Sequence, residues 1–294
     1  MGSNASVLLV RKPSGTTSFS SLGIIKRTVD RKVGHTGTLD KFAQGLLVVL
    51  TGSMTRLNPL FLGLPKRYRA TIRFGVETDT LDPTGNVVRK AEPPSLQCID
   101  EMIQRGFLGT IEQEPPVYSA IHVGGRRASE LARQGQTVKM ESRMVTIHAF
   151  TVVSYDGSSL VCDLEVSKGT YVRSIARDLA NACGSCGSLT FLERTAVGPF
   201  SLDEAVEADD VHGLLESVGH SGELLLRLPE TGRFLVPSSD IKMMDNGKVS
   251  PALVSLDEKV SPKWGVVYDG EGSLRYVIDC GAGRIVCQIG GKGR

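Results

Sequence analysis

The chain has 294 residues, 40% hydrophobic and 22% charged, a globular composition with enough length to bury a core without staples. No apolar run reaches the roughly 20 residues of a membrane-spanning helix, and the apolar stretch 7–10 is too short for a signal-peptide core, so the expected location is the cytoplasm. The six cysteines are scattered as reduced thiols, and the lone C-x-x-C (Cys183, Cys186) lacks the second pair or histidines a zinc site needs.

Net charge is only +2, but it is unevenly spread. Residues 1–75 hold twelve lysines and arginines against Asp30 and Asp40, a net +10 that leaves −8 on the remainder. That asymmetry points to a polyanion-binding face in the N-terminal third, with a solvated basic surface as the plainer reading.

In chain order, residues 7–10 read as a strand, and Ser18 as the cap of a helix over 19–29 with Leu22, Ile25 and Val29 inward. The apolar run 46–50, between Gly45 and Gly52, reads as a buried strand. Residues 67–75 alternate, with Tyr68, Ala70, Ile72 and Phe74 on one side. A helix follows over 96–107. Two strands, 145–155 and 159–166, are joined at Asp156-Gly157, a hairpin signal. Thr170 then caps a helix with an apolar stripe of Val172, Ile175, Ala176, Leu179 and Ala182. Hairpins with interspersed helices and no βα repeat predict an α+β fold on a largely antiparallel sheet. Past an acidic, loop-rich stretch, the glycine-punctuated pieces 265–268, 274–279 and 284–289 predict a small all-β domain over 232–294, after a first domain of 1–231.

The most unusual segment is Gly34-His35-Thr36-Gly37-Thr38-Leu39-Asp40, a glycine- and threonine-rich loop that delivers one carboxylate just before a buried strand. A lone loop aspartate is usually a turn residue. The spacing is not that of a nucleotide-binding P-loop, and no G-x-S-x-G nucleophile elbow occurs. Asp82-Pro83-Thr84-Gly85 resembles the aspartyl-phosphate motif of ion pumps, a reading that fails without membrane spans, and Asp79 and Asp82 do not fit a calcium loop.

The order of motifs resembles the TruB family of pseudouridine synthases over nearly the whole chain. The blocks are Lys12-Pro13-Ser14-Gly15-Thr16-Thr17-Ser18; residues 34–40 with Ala43, Gly45 and Leu46; and Lys66-Arg67-Tyr68 with Phe74-Gly75 and Thr78-Asp79-Thr80. Pro115-Pro116-Val117-Tyr118-Ser119-Ala120 with Gly125-Arg126-Arg127 follows, then Ser167-Lys168-Gly169-Thr170-Tyr171-Val172-Arg173. The chain departs from the family at Lys41-Phe42, where proline usually follows the aspartate, at His122, commonly lysine, and at Ser129, commonly aromatic.

The resemblance implies isomerisation of uridine 55 in the tRNA T-loop to pseudouridine, by a stand-alone monomer without guide RNA, membrane, metal or other cofactor. It implies a pseudouridine synthase catalytic domain, an RNA-gripping insertion at about 115–143 and a PUA-like C-terminal domain. Asp40, Tyr68 and Arg173 are then catalytic, Arg173 favouring the ionised carboxylate and Tyr68 stacking on a flipped-out base. His35, Lys12, Gly37, Thr38, Lys66, Tyr171, Leu192, Arg126 and Arg127 are the substrate-binding candidates. The rivals are a guide-RNA-dependent synthase, disfavoured by the chain's own gripping insertion, and a non-catalytic RNA-binding protein, disfavoured by retention of Asp40, Tyr68 and Arg173 together.

Overall fold

The computed structural model describes residues 5–257 and 261–289, so the far N-terminus and the last residues of the expected C-terminal domain lie outside the described residues. The chain divides into two compact units, one of residues 1–41, 45–63 and 197–294 and one of 42–44 and 64–196.

In the first unit, the strand Val7–Lys12 pairs antiparallel with Gln44–Thr51, from Val7 opposite Leu50 to Lys12 opposite Gly45, and parallel with the short strand Val206–Glu207. Both long strands are continuous apolar runs because both faces are covered: residues 7–10 and 46–50 are all buried. Over one face lies the helix Gly23–Thr28, whose Ile25, with Leu22 and Val29 beside it, packs on Leu8, Val10, Leu47, Val49 and Leu214. Each such side chain, fully buried, contributes about 1.5–3 kcal/mol. The inward residues are those expected, but the helix is shorter. A 3-10 turn, Ser20–Leu22, precedes it, and Ser18 does not cap it because its hydroxyl is engaged elsewhere.

The same unit contains a five-stranded sheet in the order Val254–Ser255, Thr231–Leu235, Trp264–Tyr268, Leu274–Asp279, Arg284–Gln288. Its Thr231–Leu235 and Trp264–Tyr268 strands run parallel, the other pairs antiparallel. The expected strands are present, but the region is not all-β. A helix, Ile241–Asp245, supplies Met244 to a core of Val236, Val267, Tyr276 and Ile278. One sheet face this small needs a lid to exclude water, and a single helical turn is the shortest that supplies one. At the sheet's edge, the Ser53 hydroxyl donates to the Gln288 carbonyl at 2.6 Å.

The second unit carries the strand order Gly187–Val197, Lys66–Phe74, Ser159–Val166, Arg143–Tyr155, Gly109–Gln113. Ser159–Val166 pairs antiparallel with both Lys66–Phe74 and Arg143–Tyr155, and the latter antiparallel with Gly109–Gln113. The hairpin closes at Asp156, whose carboxylate accepts from the backbone amides of Ser158 and Ser159. The architecture is the expected α+β fold on a largely antiparallel sheet.

Three α-helices belong to this unit among the described residues, the short Ala128–Arg133 and two longer ones. Leu96–Gly106 is capped by Ser95, whose hydroxyl accepts from the Cys98 amide. Val172–Ala182 buries Val172, Ile175, Ala176 and Leu179, while Ala182 is exposed, so the stripe ends one turn early. Thr170 does not cap it either. Its hydroxyl donates to the Ser167 carbonyl, and Tyr171 holds the cap position.

Candidate active site

The loop that carries Asp40 begins as sheet. Val33–His35 pairs antiparallel with Gln44–Thr51, His35 opposite Val49, and the Thr36 amide adds one more bond to the Val48 carbonyl at 2.9 Å. Gly37, at φ +120°, then turns the chain out of the ladder, a conformation that a Cβ would strain.

Past that turn, both backbone groups of buried Leu39 are held by one hydroxyl. Ser18 Oγ accepts from the Leu39 amide at 2.8 Å and donates to the Leu39 carbonyl at 3.0 Å. On the other side of Asp40, the Gly15 amide donates to the Lys41 carbonyl at 2.8 Å. The residues either side of Asp40 are therefore fixed by the segment 15–18, and Asp40 is half-buried between them. Ser18 thus holds Leu39 instead of capping the helix that the sequence predicts after it.

Lys12, a substrate-binding candidate, has a fully buried side chain. Its Nζ donates to the Pro13 carbonyl at 2.9 Å and the Thr16 carbonyl at 2.7 Å, so it folds the segment that grips the Asp40 loop. Gly37 and His35 are half-buried and Thr38 is exposed.

Lys66 and Tyr68 lie in the second unit, on one face of the strand Lys66–Phe74, with Tyr68 partly exposed opposite Leu164. Arg67 and Arg69 point to the other face, where Arg67 pairs with Glu165 at 3.2 Å and Arg69 makes a bidentate pair with Asp163 at 2.8 Å. In the first unit, Arg11 pairs with Glu207 at 3.1 Å. At least three of the twelve N-terminal cations are thus matched by acids from beyond residue 75, and the basic face is weaker than composition implies.

Lys66 is buried, and its Nζ donates to the Leu64 carbonyl at 2.6 Å. Burial first, then the neighbouring charges of Arg194 and Lys168, push its pKa down to about 8. Below pH 8 both folded and unfolded chains hold the proton, and the fold bears the full cost of a buried charge. That cost fades as pH rises from about 8 to the unfolded value of 10.5. Stability of the wild type relative to Lys66→Met should therefore rise over that window. Urea denaturation at pH 7, 9 and 10.5 measures it, and a difference that stays flat would be inconsistent with a depressed pKa.

Arg173, in the first turn of the helix Val172–Ala182, is only 3% exposed. Its guanidinium donates to the Thr80 carbonyl at 2.9 Å and the Tyr118 carbonyl at 3.0 Å, and lies 3.7 Å from Asp82 Oδ2. The other oxygen of Asp82 accepts from the Thr84 amide and from the Thr80 and Thr84 hydroxyls. This turn, tight enough that Leu81 adopts φ +60°, is thus a socket for Arg173. The sequence singles out Asp82-Pro83-Thr84-Gly85 for its likeness to an aspartyl-phosphate motif and Asp82 for a calcium loop, and neither reading points to this ion pair.

Tyr171 is fixed by a residue that gave no sequence signal. The side-chain amide of fully buried Gln113 accepts from the Tyr171 amide at 2.8 Å and donates to its carbonyl at 3.2 Å. The Arg143 guanidinium lies 4.7 Å from the Tyr171 ring centre, a cation–π contact. Leu192 is buried in the strand Gly187–Val197, beside Arg194, which is 1% exposed. Arg126 and Arg127 stand exposed on a two-strand hairpin, His122–Val123 with Arg126–Arg127, turned at Gly124 and Gly125. Among the described residues, no group of three or more His, Cys, Asp or Glu is placed to hold a metal ion. Among them, too, no helix is long and apolar enough to cross a membrane.

The fold is similar to that of chains in two solved assemblies. A chain in the structure of an H/ACA RNP bound to a substrate RNA containing 2'-deoxyuridine superposes with a TM-score of 0.67 at 18% identity, covering 99% of this chain and 86% of that one. A chain of a Cbf5–Nop10–Gar1 complex gives 0.62 at 21% identity, covering 92% and 77%. At those identities the likeness is one of fold. Sequence takes it further. Residues 26–172 match the model of the TruB family pseudouridylate synthase N-terminal domain. The tRNA pseudouridine synthase B of Borreliella afzelii is 39% identical over 276 residues, 92% of this chain and 93% of that protein. That of Bordetella pertussis is 42% identical over 238 residues, 79% and 96%. The chain belongs to the TruB family of pseudouridylate synthases. Asp40, Tyr68 and Tyr171 fall within the span of the family model, Arg173 directly after it and Lys12 well before it.

Proposed function

We propose that the protein isomerises uridine 55 in the T-loop of tRNA to pseudouridine, alone, with Asp40 as its catalytic carboxylate and Tyr68 and Arg173 completing the catalytic set. The observation that carries the reading is the grip on Asp40: Ser18 on Leu39 and Gly15 on Lys41 immobilise both neighbours of one half-buried carboxylate. A carboxylate that must meet a reacting atom gains from such preorganisation, since a misplacement of about 1 Å can cost a hundredfold in rate.

In the proposed reaction the N1–C1′ bond of the flipped-out nucleotide breaks. The base turns while captive, C5 joins C1′, C5 loses its proton and N1 gains one. Positive charge developing at C1′ is what an adjacent carboxylate stabilises or attacks, as in glycosidases. No electron and no group besides that proton leaves, so the balance requires no cofactor. Residues 1–231 serve as the catalytic domain and 232–294 as a PUA-like RNA-binding domain, working as a cytoplasmic monomer. The exposed Arg126–Arg127 hairpin gives the enzyme its own clamp, which supports action without a guide RNA.

Tritium release from a T-loop transcript carrying C5-tritiated uridine tests the reading. Release from the uridine at position 55 is expected, and none from the same transcript with that uridine replaced by cytidine. Release in the absence of that uridine would refute the site assignment. The same assay should be unaffected by EDTA and prolonged dialysis once the transcript is folded. Loss of activity restored stoichiometrically by zinc would overturn the cofactor-free mechanism.

Binding should weaken steeply with salt, because each neutralised phosphate releases counterions. Changing Arg126 and Arg127 to Ala should raise Kd and flatten the salt dependence by up to about two phosphate contacts, while turnover of bound tRNA stays within about twofold. An unchanged salt slope, measured by filter binding, would remove the hairpin from the interface.

A further inference from the structure

Phe19 is 78% exposed, the most exposed large hydrophobic side chain among the described residues. A single surface ring is ordinary in itself; the way this one is held is not. The preceding residue, Ser18, is buried and carries the double hydrogen bond to Leu39 beside Asp40. The flanking residues lock on each other: the Thr17 amide donates to Ser20 Oγ and the Ser20 amide to Thr17 Oγ1, each at 3.0 Å. The Leu22 amide bonds the Phe19 carbonyl at 3.1 Å and closes the turn. The ring is thus projected into solvent from a rigid platform one residue from the clamp on the Asp40 loop.

Its surroundings identify what it fits. Residues 13–17 and 20 are proline, glycine and hydroxyl-bearing, and 13–15, 17 and 20 are exposed, so the chain on either side of the ring adds none of the large apolar side chains that mark the core of a protein interface. The stretch 11–41 also exposes five cations, Lys26, Arg27, Arg31, Lys32 and Lys41, besides the buried Lys12 and the paired Arg11. An isolated aromatic ring among hydroxyls and cations matches an unstacked nucleobase with its phosphates. Resting on the RNA reading above, we propose that Phe19 stacks on a base of the substrate RNA next to the target uridine.

The test measures steady-state tritium release and Kd on a T-arm stem–loop. A stacked base is worth about 1–3 kcal/mol, so Phe19→Ala and Phe19→Leu should raise KM by about five- to a hundredfold, with kcat at saturation within about twofold. Phe19→Trp should keep KM at the wild-type level. In a Trp264→Phe background, which removes the chain's one native tryptophan, the emission of the indole introduced by Phe19→Trp should be quenched by the stem–loop. An unchanged KM in Phe19→Ala and Phe19→Leu, or indole emission unmoved at saturating RNA, overturns the proposal. So does a wild-type dimer in sedimentation that Phe19→Ala dissolves, since the ring then meets a second copy. Wild-type protein that neither binds the stem–loop nor releases tritium is instead the failure of the RNA reading itself.

Discussion

Asp40→Asn should retain tRNA affinity within a few fold and lose essentially all turnover. The substitution preserves shape and the backbone grip on Leu39 and Lys41, since neither bond involves the carboxylate. What it removes is the negative charge, and with it both the nucleophile and the counter-charge for C1′. Acid–base helpers contribute roughly 10²–10⁴-fold, and loss of an essential carboxylate should exceed that range. Single-turnover tritium release at saturating tRNA is the measurement. Residual activity above about a hundredth of wild type, which is the floor of that range, would remove Asp40 from the centre of the chemistry. Because Asn can revert slowly by deamidation, Asp40→Ala should behave the same way.

Arg173→Ala should also abolish turnover, but with a second signature. Removing the guanidinium leaves the buried Asp82 carboxylate and the Thr80 and Tyr118 carbonyls without their cation. Breaking a buried ion pair from one side costs about 3–5 kcal/mol. The lower end is expected here, because the pair sits at 3.7 Å and Asp82 keeps three donors from Thr80 and Thr84. Adding Asp82→Asn should recover part of the lost stability, so that the double variant loses less than the two single losses added together. Catalysis should not recover with it. Urea denaturation and turnover on the same four proteins separate the two effects. If Arg173→Ala bound tRNA far more weakly yet turned over normally at saturation, Arg173 would be a phosphate contact at the start of a helix.

The parts legible in the sequence share a physical cause: they are local. Alternation over Lys66–Phe74, the apolar run within Gln44–Thr51 and the Asp156-Gly157 turn each encode their structure within a few residues. The reading failed where a short polar side chain had a choice of partner. Ser18 and Thr170 both suit a helix N-cap by type, yet Ser18 bonds Leu39, 21 residues away, and Thr170 bonds Ser167. A hydroxyl takes the backbone group that folding brings nearest, and type alone does not say which.

Charge divides in the same way. The sequence by itself determined the α+β class, the TruB motifs, the carboxylate at Asp40 and the excess of cations in the first 75 residues. Only the tertiary structure decided which of those cations are available, since Arg11, Arg67 and Arg69 are matched by Glu207, Glu165 and Asp163 across strands. It also decided that Lys12 folds its own loop, that Gln113 holds Tyr171 from 58 residues away and that Asp82 seats Arg173. Ion pairs and buried hydrogen bonds are set by proximity in space, within about 4 Å, and a linear pattern carries side-chain type and period but not that proximity.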